Sequence, residues 1–326
     1  MSRQWTPERA REWYESMPWL VGCNFTPSTA INQLEMWQAE TFDPDTIDRE
    51  LGLAASIGMN TVRTYLHDLL WEDPDGFSRR LDHFLTIAAG HGIRPVLVIF
   101  DDCWNPGARL GPQPAPRPGI HNSGWLQSPG LDTVNAGPAA WGRLERYVKD
   151  LLSRFARDER ILLWDLYNEP GNNENNEEST PLLEAVFSWA REVETSQPIS
   201  VAVWRPDDSI NDLVIGSSDV ITFHHYEPAD DLRKTITTLA RHGRPLICTE
   251  WMARQRGSLV EANLPVFRET GVGCINWGLV DGKTQTKFAW DDPRPDSEPE
   301  PWFHELFHGD LTPYRSEEIA LFRDLR

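Results

Sequence analysis

A (β/α)8 barrel is the fold the sequence predicts, and three observations carry the expectation. Eight short apolar segments alternate with stretches of helical periodicity along the chain. Two of those segments end abruptly in a glutamate, and strand ends are where barrel enzymes keep their chemistry. The rival fold, a doubly wound open sheet, is expected to carry a glycine-rich phosphate loop after an early strand, and the sequence has none.

In order, the strands are expected at Leu20–Phe25, Thr61–Leu66, Arg94–Phe100, Ile161–Tyr167, Ile199–Trp204, Val220–His224, Pro245–Glu250 and Gly273–Leu279. Asp43-Pro44 gives a helix N-cap with proline at the first helical position, and that helix runs through Leu51 and Leu53 to stop near Gly58. Phe77–Ala89 ends at Gly90 and Gly92. Trp141–Phe155, Leu182–Val193, Leu232–Leu239 and Leu259–Phe267 repeat the helical spacing. The whole chain, 1–326, reads as one barrel domain with a short N-terminal helix and extended loops after strands 1, 3 and 4. The third of these strands is followed by the stiff run Gly111-Pro112-Gln113-Pro114-Ala115-Pro116-Arg117-Pro118. The fourth leads into Asn172-Asn173-Glu174-Asn175-Asn176-Glu177-Glu178. Loops that follow barrel strands lie on the active-site face, so both are expected to shape a cleft.

The 326 residues carry 31 basic and 50 acidic side chains, a formal charge of −19. That balance argues against nucleic acid or an anionic membrane as partner, because both would be repelled. The 15 tryptophans, beside 13 phenylalanines and 6 tyrosines, fit a cleft that stacks on the apolar faces of sugar rings, although core filling is open to each of them. Cys23, Cys103, Cys248 and Cys274 are scattered singly, which speaks for reduced thiols and against a zinc site. The N-terminal Met1-Ser2-Arg3-Gln4-Trp5 has no apolar run behind it, and no stretch reaches membrane-spanning length, so a cytoplasmic location is expected.

The most informative stretch is Leu162-Leu163-Trp164-Asp165-Leu166-Tyr167-Asn168-Glu169-Pro170, an apolar run that delivers a carboxylate to its tip before proline stops further pairing. Pro245-Leu246-Ile247-Cys248-Thr249-Glu250-Trp251 ends the same way. Two carboxyl groups about 5–5.5 Å apart suit glycoside cleavage with retention, and about 6.5–9.5 Å suits inversion. Like charges that close raise one pKa, so such a pair separates into an acid and a nucleophile.

A strand ending in Asn-Glu-Pro resembles the fourth strand of the retaining glycosidases in the large clan of (β/α)8 hydrolases, which includes the family 5 cellulases and mannanases and related β-mannosidases. The resemblance implies that Glu169 is the general acid/base, Glu250 the nucleophile, and Asn168 the hydrogen-bond partner of a sugar 2-hydroxyl. Arg63, in Thr61-Val62-Arg63-Thr64-Tyr65, resembles the clan arginine that keeps the nucleophile ionised. Phe223-His224-His225-Tyr226 resembles the family His-x-Tyr segment, with His224 shaping the subsite and Tyr226 donating to Glu250. Trp277 resembles the tryptophan platform under the bound sugar, a buried core position being its alternative.

The chain departs from family 5 after the third strand, where Asp101-Asp102-Cys103-Trp104-Asn105 replaces a common histidine. Asp101 or Asp102 is expected to bind sugar hydroxyls, with Trp104 as a side wall; capping of the next turn is the other reading of the acid pair. In the first loop, Glu35 and Trp37 are expected to close one end of the cleft. Together these residues imply a retaining β-glycosidase without metal or organic cofactor, acting on an oligosaccharide or small β-glycoside. Exo action on a gluco- or manno-configured substrate is favoured, β-mannosidase ahead of β-glucosidase, with endo-acting mannanase or cellulase as the alternative. Two readings of other classes compete: a metal-dependent barrel hydrolase using His224, His225, His67 and Asp101/Asp102, and a non-catalytic sugar-binding barrel.

Overall fold

Nine strand segments run parallel in one sheet: β1 (Val21–Asn24), β2 (Thr61–Tyr65), β3 (Arg94–Asp101), β4 (Leu163–Asn168), β5 (Ile199–Ser200), β6 (Ala202–Val203), β7 (Ile221–His224), β8 (Leu246–Trp251) and β9 (Gly273–Trp277). These are seen in a computed structural model that describes residues 4–172, 176–205, 209–294 and 296–324. The spatial order runs β5-β4-β3-β2-β1-β9-β8-β7-β6. Because β5 and β6 are consecutive pieces of one strand interrupted at Val201, the sheet curls round on itself with eight staves. Each of the eight expected segments overlaps its strand, and β3, β4 and β8 run one residue past the expected end, to Asp101, Asn168 and Trp251. Of the polar loop expected after the fourth strand, 173–175 lie outside the described residues.

The helices follow from the caps. Asp43 accepts from Thr46 N ahead of Pro44–Ser56, and Asp73 accepts from Gly76 N ahead of Pro74–Gly90. The second of these starts a turn earlier than the apolar spacing alone indicated, because Asp73-Pro74 is itself a start signal. At β1 the backbone packs so closely on β2 that a Cβ on Gly22 would sit 2.0 Å from Thr61 O, so only glycine fits there.

Two apolar layers hold the barrel. Its outer face, Cys248 included, packs against helix residues such as Leu51, Phe84, Leu151 and Val186. Its floor is filled by Leu20, Val96, Leu163, Val220, Ile247 and Ile275, and is covered from below by Trp5 and Ala10 of the N-terminal segment. Helix Pro7–Glu15 is anchored there by Tyr14 OH donating to Gly271 O at 2.8 Å. Among the described residues no helix is long and apolar enough to cross a membrane.

The loop after the last strand, spanning roughly 278–315, was not among the extended loops expected. It is tied to the loops after β1 and β3. Lys283 N donates to Ser28 O at 3.0 Å, Asn122 N to Thr284 O at 2.8 Å, and Arg294 N to Gly119 O at 2.9 Å. From below, the buried Arg254 donates to the carbonyls of Trp302, His304 and Glu305 and pairs with Glu318. The three loops thus form one wall at one end of the barrel mouth.

Candidate active site

Glu169 follows the last residue of β4 with φ 43°, in the left-handed region. A non-glycine residue held there stores on the order of 1–3 kcal/mol of strain, which persists only where the surroundings fix it. Here His224 Nδ1 lies 2.7 Å from Oε1, while Asn172 Nδ2 and Cys103 Sγ donate to Oε2. Burial pushes the Glu169 carboxyl up, but His224, Cys103 and Asn172 outweigh it and hold the group below its ordinary value.

Glu250 reaches the same cleft through an irregularity. Along β8, Ile247 joins the barrel floor and Cys248 packs outward against the helices. Strict alternation would turn Glu250 outward as well. The register instead steps from Phe223↔Cys248 to His224↔Glu250, so Thr249 is an extra residue and the carboxylate swings inward. Oε1 accepts from Arg63 Nη1 at 2.7 Å and Tyr65 OH at 2.9 Å, and Oε2 from Tyr226 OH at 2.8 Å. Oxygens of Glu169 and Glu250 come within 4.8 Å of each other, with His224 Nδ1 between them at 2.7 Å from Glu169 and 3.5 Å from Glu250.

Arg63 is fully buried beneath this pair. It also donates to Asp165 (2.9 Å), Asn168 Oδ1 (2.7 Å) and Asn24 Oδ1 (2.9 Å). Its negative and polar neighbours raise its pKa against the effect of burial, so it stays charged. Asn168 gives its amide to Asp101 Oδ1 at 2.9 Å and still borders the cleft.

Above the acids lies a cleft of about 700 Å³. Trp277, half-buried at the end of β9, sets its ring 5.9 Å from Tyr65 and 6.3 Å from Trp125. Trp104 (φ 72°) stacks on His121 at 5.2 Å and forms one side wall. Trp290 meets Tyr226 edge-on at 5.0 Å on the other side.

Several expected site residues are not at the cleft. Trp37 is fully buried, packed against Phe77 and Phe84, with its indole N–H donating to Tyr65 O at 2.8 Å. It supports the strand that carries Arg63 and cannot touch a ligand. Glu35 pairs with Lys283 at 2.7 Å and accepts from Ile31 N at 2.7 Å, so it ties the first loop to the last. Asp101 is buried and accepts from Trp125 Nε1, Asn168 Nδ2 and Cys103 N. The Asp101–Cys103 N contact is the turn-capping alternative, while Asp102 is buried and accepts from Tyr167 OH, Ser179 OH and Gly171 N around the end of β4. A carboxylate with its lone pairs used this way has nothing left for a sugar. Arg63 likewise lies behind the cleft wall, acting through Glu250 and Asn168.

The metal reading fails to assemble. Among the described residues the one group of three potential ligands is Glu169, His224 and Glu250, without His67, His225, Asp101 or Asp102. The cleft also contains residues that sequence reasoning passed over: His121, Asn122, Trp125, Trp290 and His304. Trp290 and His304 belong to an aromatic-rich tail of unusual length after the last strand, while His121, Asn122 and Trp125 sit in the long third loop already expected to shape the cleft.

Burial raises three carboxyls that flank this region: Asp101 and Glu50 to about 7, and Glu305 to about 8. Each binds its proton more tightly folded than unfolded, so its stabilising contribution is complete below its unfolded pKa and is lost as pH rises through these values. His121, lowered to about 4, and His304, also lowered, oppose this slope as pH falls through about 6.5, the unfolded histidine value, and offset only a small part of it above that. Unfolding free energy is therefore expected to fall by on the order of 3 kcal/mol between pH 6.5 and 8.5. Urea titrations across that window check it; a flat or rising profile rejects the assignment of these groups as protonated.

The fold and this cleft define a (β/α)8 enzyme of the glycoside hydrolase class. A family model described as Cellulase (glycosyl hydrolase family 5) matches residues 25–283, and the chain belongs to that family, whose members are retaining enzymes. Among solved structures, it is similar to the exo-β-1,4-mannosidase from Opitutaceae bacterium strain TAV5 at 20% identity and TM-score 0.61, covering 94% of this chain and 59% of that one. A subfamily 18 protein from Streptomyces cattleya in complex with Manβ1-4GlcNAc matches at 14% identity and TM-score 0.65, covering 94% and 80%. The endo-β-1,4-mannanase from Thermotoga petrophila matches at 14% and 0.61, covering 94% and 76%. The chain spans about three fifths of the length of the first of these. No curated protein matches it in sequence.

Proposed function

We propose that the protein hydrolyses β-glycosides by double displacement, with Glu250 as nucleophile and Glu169 as general acid/base, and acts from a chain end on short manno- or gluco-configured substrates. The observation that carries the mechanism is the approach of the two carboxylates to within 4.8 Å. That suits a direct attack on the anomeric carbon and leaves no room for the water an inverting pair must accommodate.

Arg63, Tyr65 and Tyr226 supply three donors to Glu250, which hold its carboxylate aimed into the cleft. Glu169 starts below its ordinary pKa in the free protein. A sugar filling the cleft expels water and strengthens the repulsion from the Glu250 charge, which drives a proton onto Glu169. Glu169 then protonates the departing oxygen as Glu250 forms the glycosyl-enzyme bond. Once that charge is spent in the ester, Glu169 is again a base and deprotonates the water that releases the sugar. Trp277 offers its ring face to the sugar.

Exo action is supported by the wall made from the loops after β1, β3 and β9, which blocks one end of the mouth. A manno-configured substrate is favoured by the mannosidase and mannanase among the similar structures, with a glucoside second. A non-catalytic sugar-binding role has no use for a strained Glu169 set opposite an arginine-held Glu250.

The test is Glu169→Ala, assayed on p-nitrophenyl and dinitrophenyl β-mannosides and β-glucosides. Loss of acid catalysis is expected to slow the poorer leaving group by roughly 10²–10⁴-fold, while the dinitrophenyl substrate gives a burst and then a slow, azide-accelerated turnover. Equal losses for both leaving groups, or no response to azide, would remove Glu169 from the acid/base role.

A further inference from the structure

His304 stands one ring away from the nucleophile. Its imidazole lies 5.7 Å from Tyr226, which donates to Glu250, and 6.3 Å from Trp277. Nδ1 hydrogen-bonds Met252 O, and since a carbonyl can only accept, the ring proton is on Nδ1. Burial, followed by the neighbouring His121 and Arg254, keeps the second proton off. Nε2 is therefore a bare acceptor, buried, and without a partner among the described residues.

His121 repeats the arrangement on the facing loop. Its Nδ1 hydrogen-bonds Phe288 O at 2.8 Å, and its ring lies 5.5 Å from that of His304. The next residue, Asn122, is fully buried with φ 47°, and neither polar atom of its amide has a partner among the described residues. All three residues border the cleft at its walled end. A buried acceptor left unpaired is costly, and so is an unpaired amide, and the folding of two separate loops brings these groups together.

We propose that His304 and Asn122 read the hydroxyl groups of the terminal sugar, His304 Nε2 accepting an O–H from the ring that lies over Trp277 and the Asn122 amide pairing with a neighbouring hydroxyl. This deepens the glycosidase reading and rests on it. The chemistry selects neutral hexosides: an ionised carboxylate at that position would set lone pairs against the lone pair of Nε2, so uronides are refused. His121 packs against the His304 ring at 5.5 Å, and burial, with His121 second, keeps that ring neutral.

The experiment uses methyl β-D-mannoside and methyl β-D-glucoside with their 2-, 3-, 4- and 6-deoxy forms, titrated calorimetrically into the wild type, His304→Phe and His304→Gln. In the wild type one deoxy form is expected to lose at least about tenfold in affinity. In His304→Phe the parent sugar falls to that level and the discrimination disappears. In His304→Gln the amide oxygen restores part of it. The 15N resonance of His304 Nε2 moves when the parent sugar is added and not with the discriminated deoxy form. An unchanged deoxy profile in His304→Phe, or a motionless Nε2 resonance, overturns the proposal.

Rates on the p-nitrophenyl glycosides separate the two readings. Binding that depends on His304 without turnover sinks the hydrolase and keeps this inference. Turnover with an unaltered deoxy profile does the reverse. Neither binding nor turnover removes both.

Discussion

Glu250→Ala is expected to leave a folded protein that binds the substrate and does not turn it over. The loss in kcat should exceed the roughly 10²–10⁴-fold that acid–base catalysis supplies, because the variant lacks the atom that forms the intermediate. The fold should survive, since Arg63 keeps Asp165 as a buried counter-ion at 2.9 Å when Glu250 is gone. Tyr65 and Tyr226 lose an acceptor, and small anions can enter the space vacated. Azide is therefore expected to restore turnover of an activated β-glycoside, giving the α-glycosyl azide. The complementary result with Glu169→Ala is the β-azide, because there the intermediate forms first and is then opened from the other face. Product configuration read by NMR thus assigns each carboxylate to its step. If Glu250→Ala retains more than a few per cent of wild-type kcat, the nucleophile lies elsewhere.

Arg63→Met carries the second large effect, and it acts on stability and activity together. Arg63 and Asp165 are both fully buried, and Glu250 nearly so. Removing the cation strands two carboxylates below the barrel mouth, a change that destabilises by about 3–5 kcal/mol when one partner of a buried pair is lost. Asn168 and Asn24 lose their donor in the same step. Urea unfolding should show the loss at neutral pH, and it should shrink as the pH falls and the stranded carboxylates protonate. Arg63→Lys is expected to rescue little, because one ammonium cannot reach Asp165, Asn168, Asn24 and Glu250 at once. A stability loss below about 1 kcal/mol for Arg63→Met would show that the carboxylates are not held by this cation.

Much of this arrangement was legible before any coordinates. The eight apolar segments match the observed strands to within a residue or two at each end, because a buried parallel strand is apolar on both faces and needs no long-range information to be recognised. Glu169 was conspicuous for the opposite reason: an ionisable group at the end of such a run has no structural use. Glu35 and Trp37 of the first loop lie away from the cleft, whereas Trp104 and Trp277 border it. Trp37 and Trp104 look alike in sequence, yet one is packed against Phe77 and Phe84 and the other borders the cleft. Nothing local to a tryptophan says which side of a loop faces the core. The Asp101-Asp102 pair misled in the same way, since a short polar run after a strand serves a turn as readily as a ligand.

By itself, then, the sequence determined the barrel, the strand ends and the chemical types gathered there, because periodicity and composition are properties of neighbouring residues. The tertiary structure decided three things. The bulge at Thr249 turns Glu250 inward against the alternation of its strand. Asp165, a hundred residues from Arg63 in the chain, becomes its buried counter-ion. The loops after β1, β3 and β9 knit into a wall that brings His121, Asn122 and His304 to the nucleophile's side. Each of these depends on which distant segments touch once the sheet closes, and side-chain identity within one segment carries no record of that.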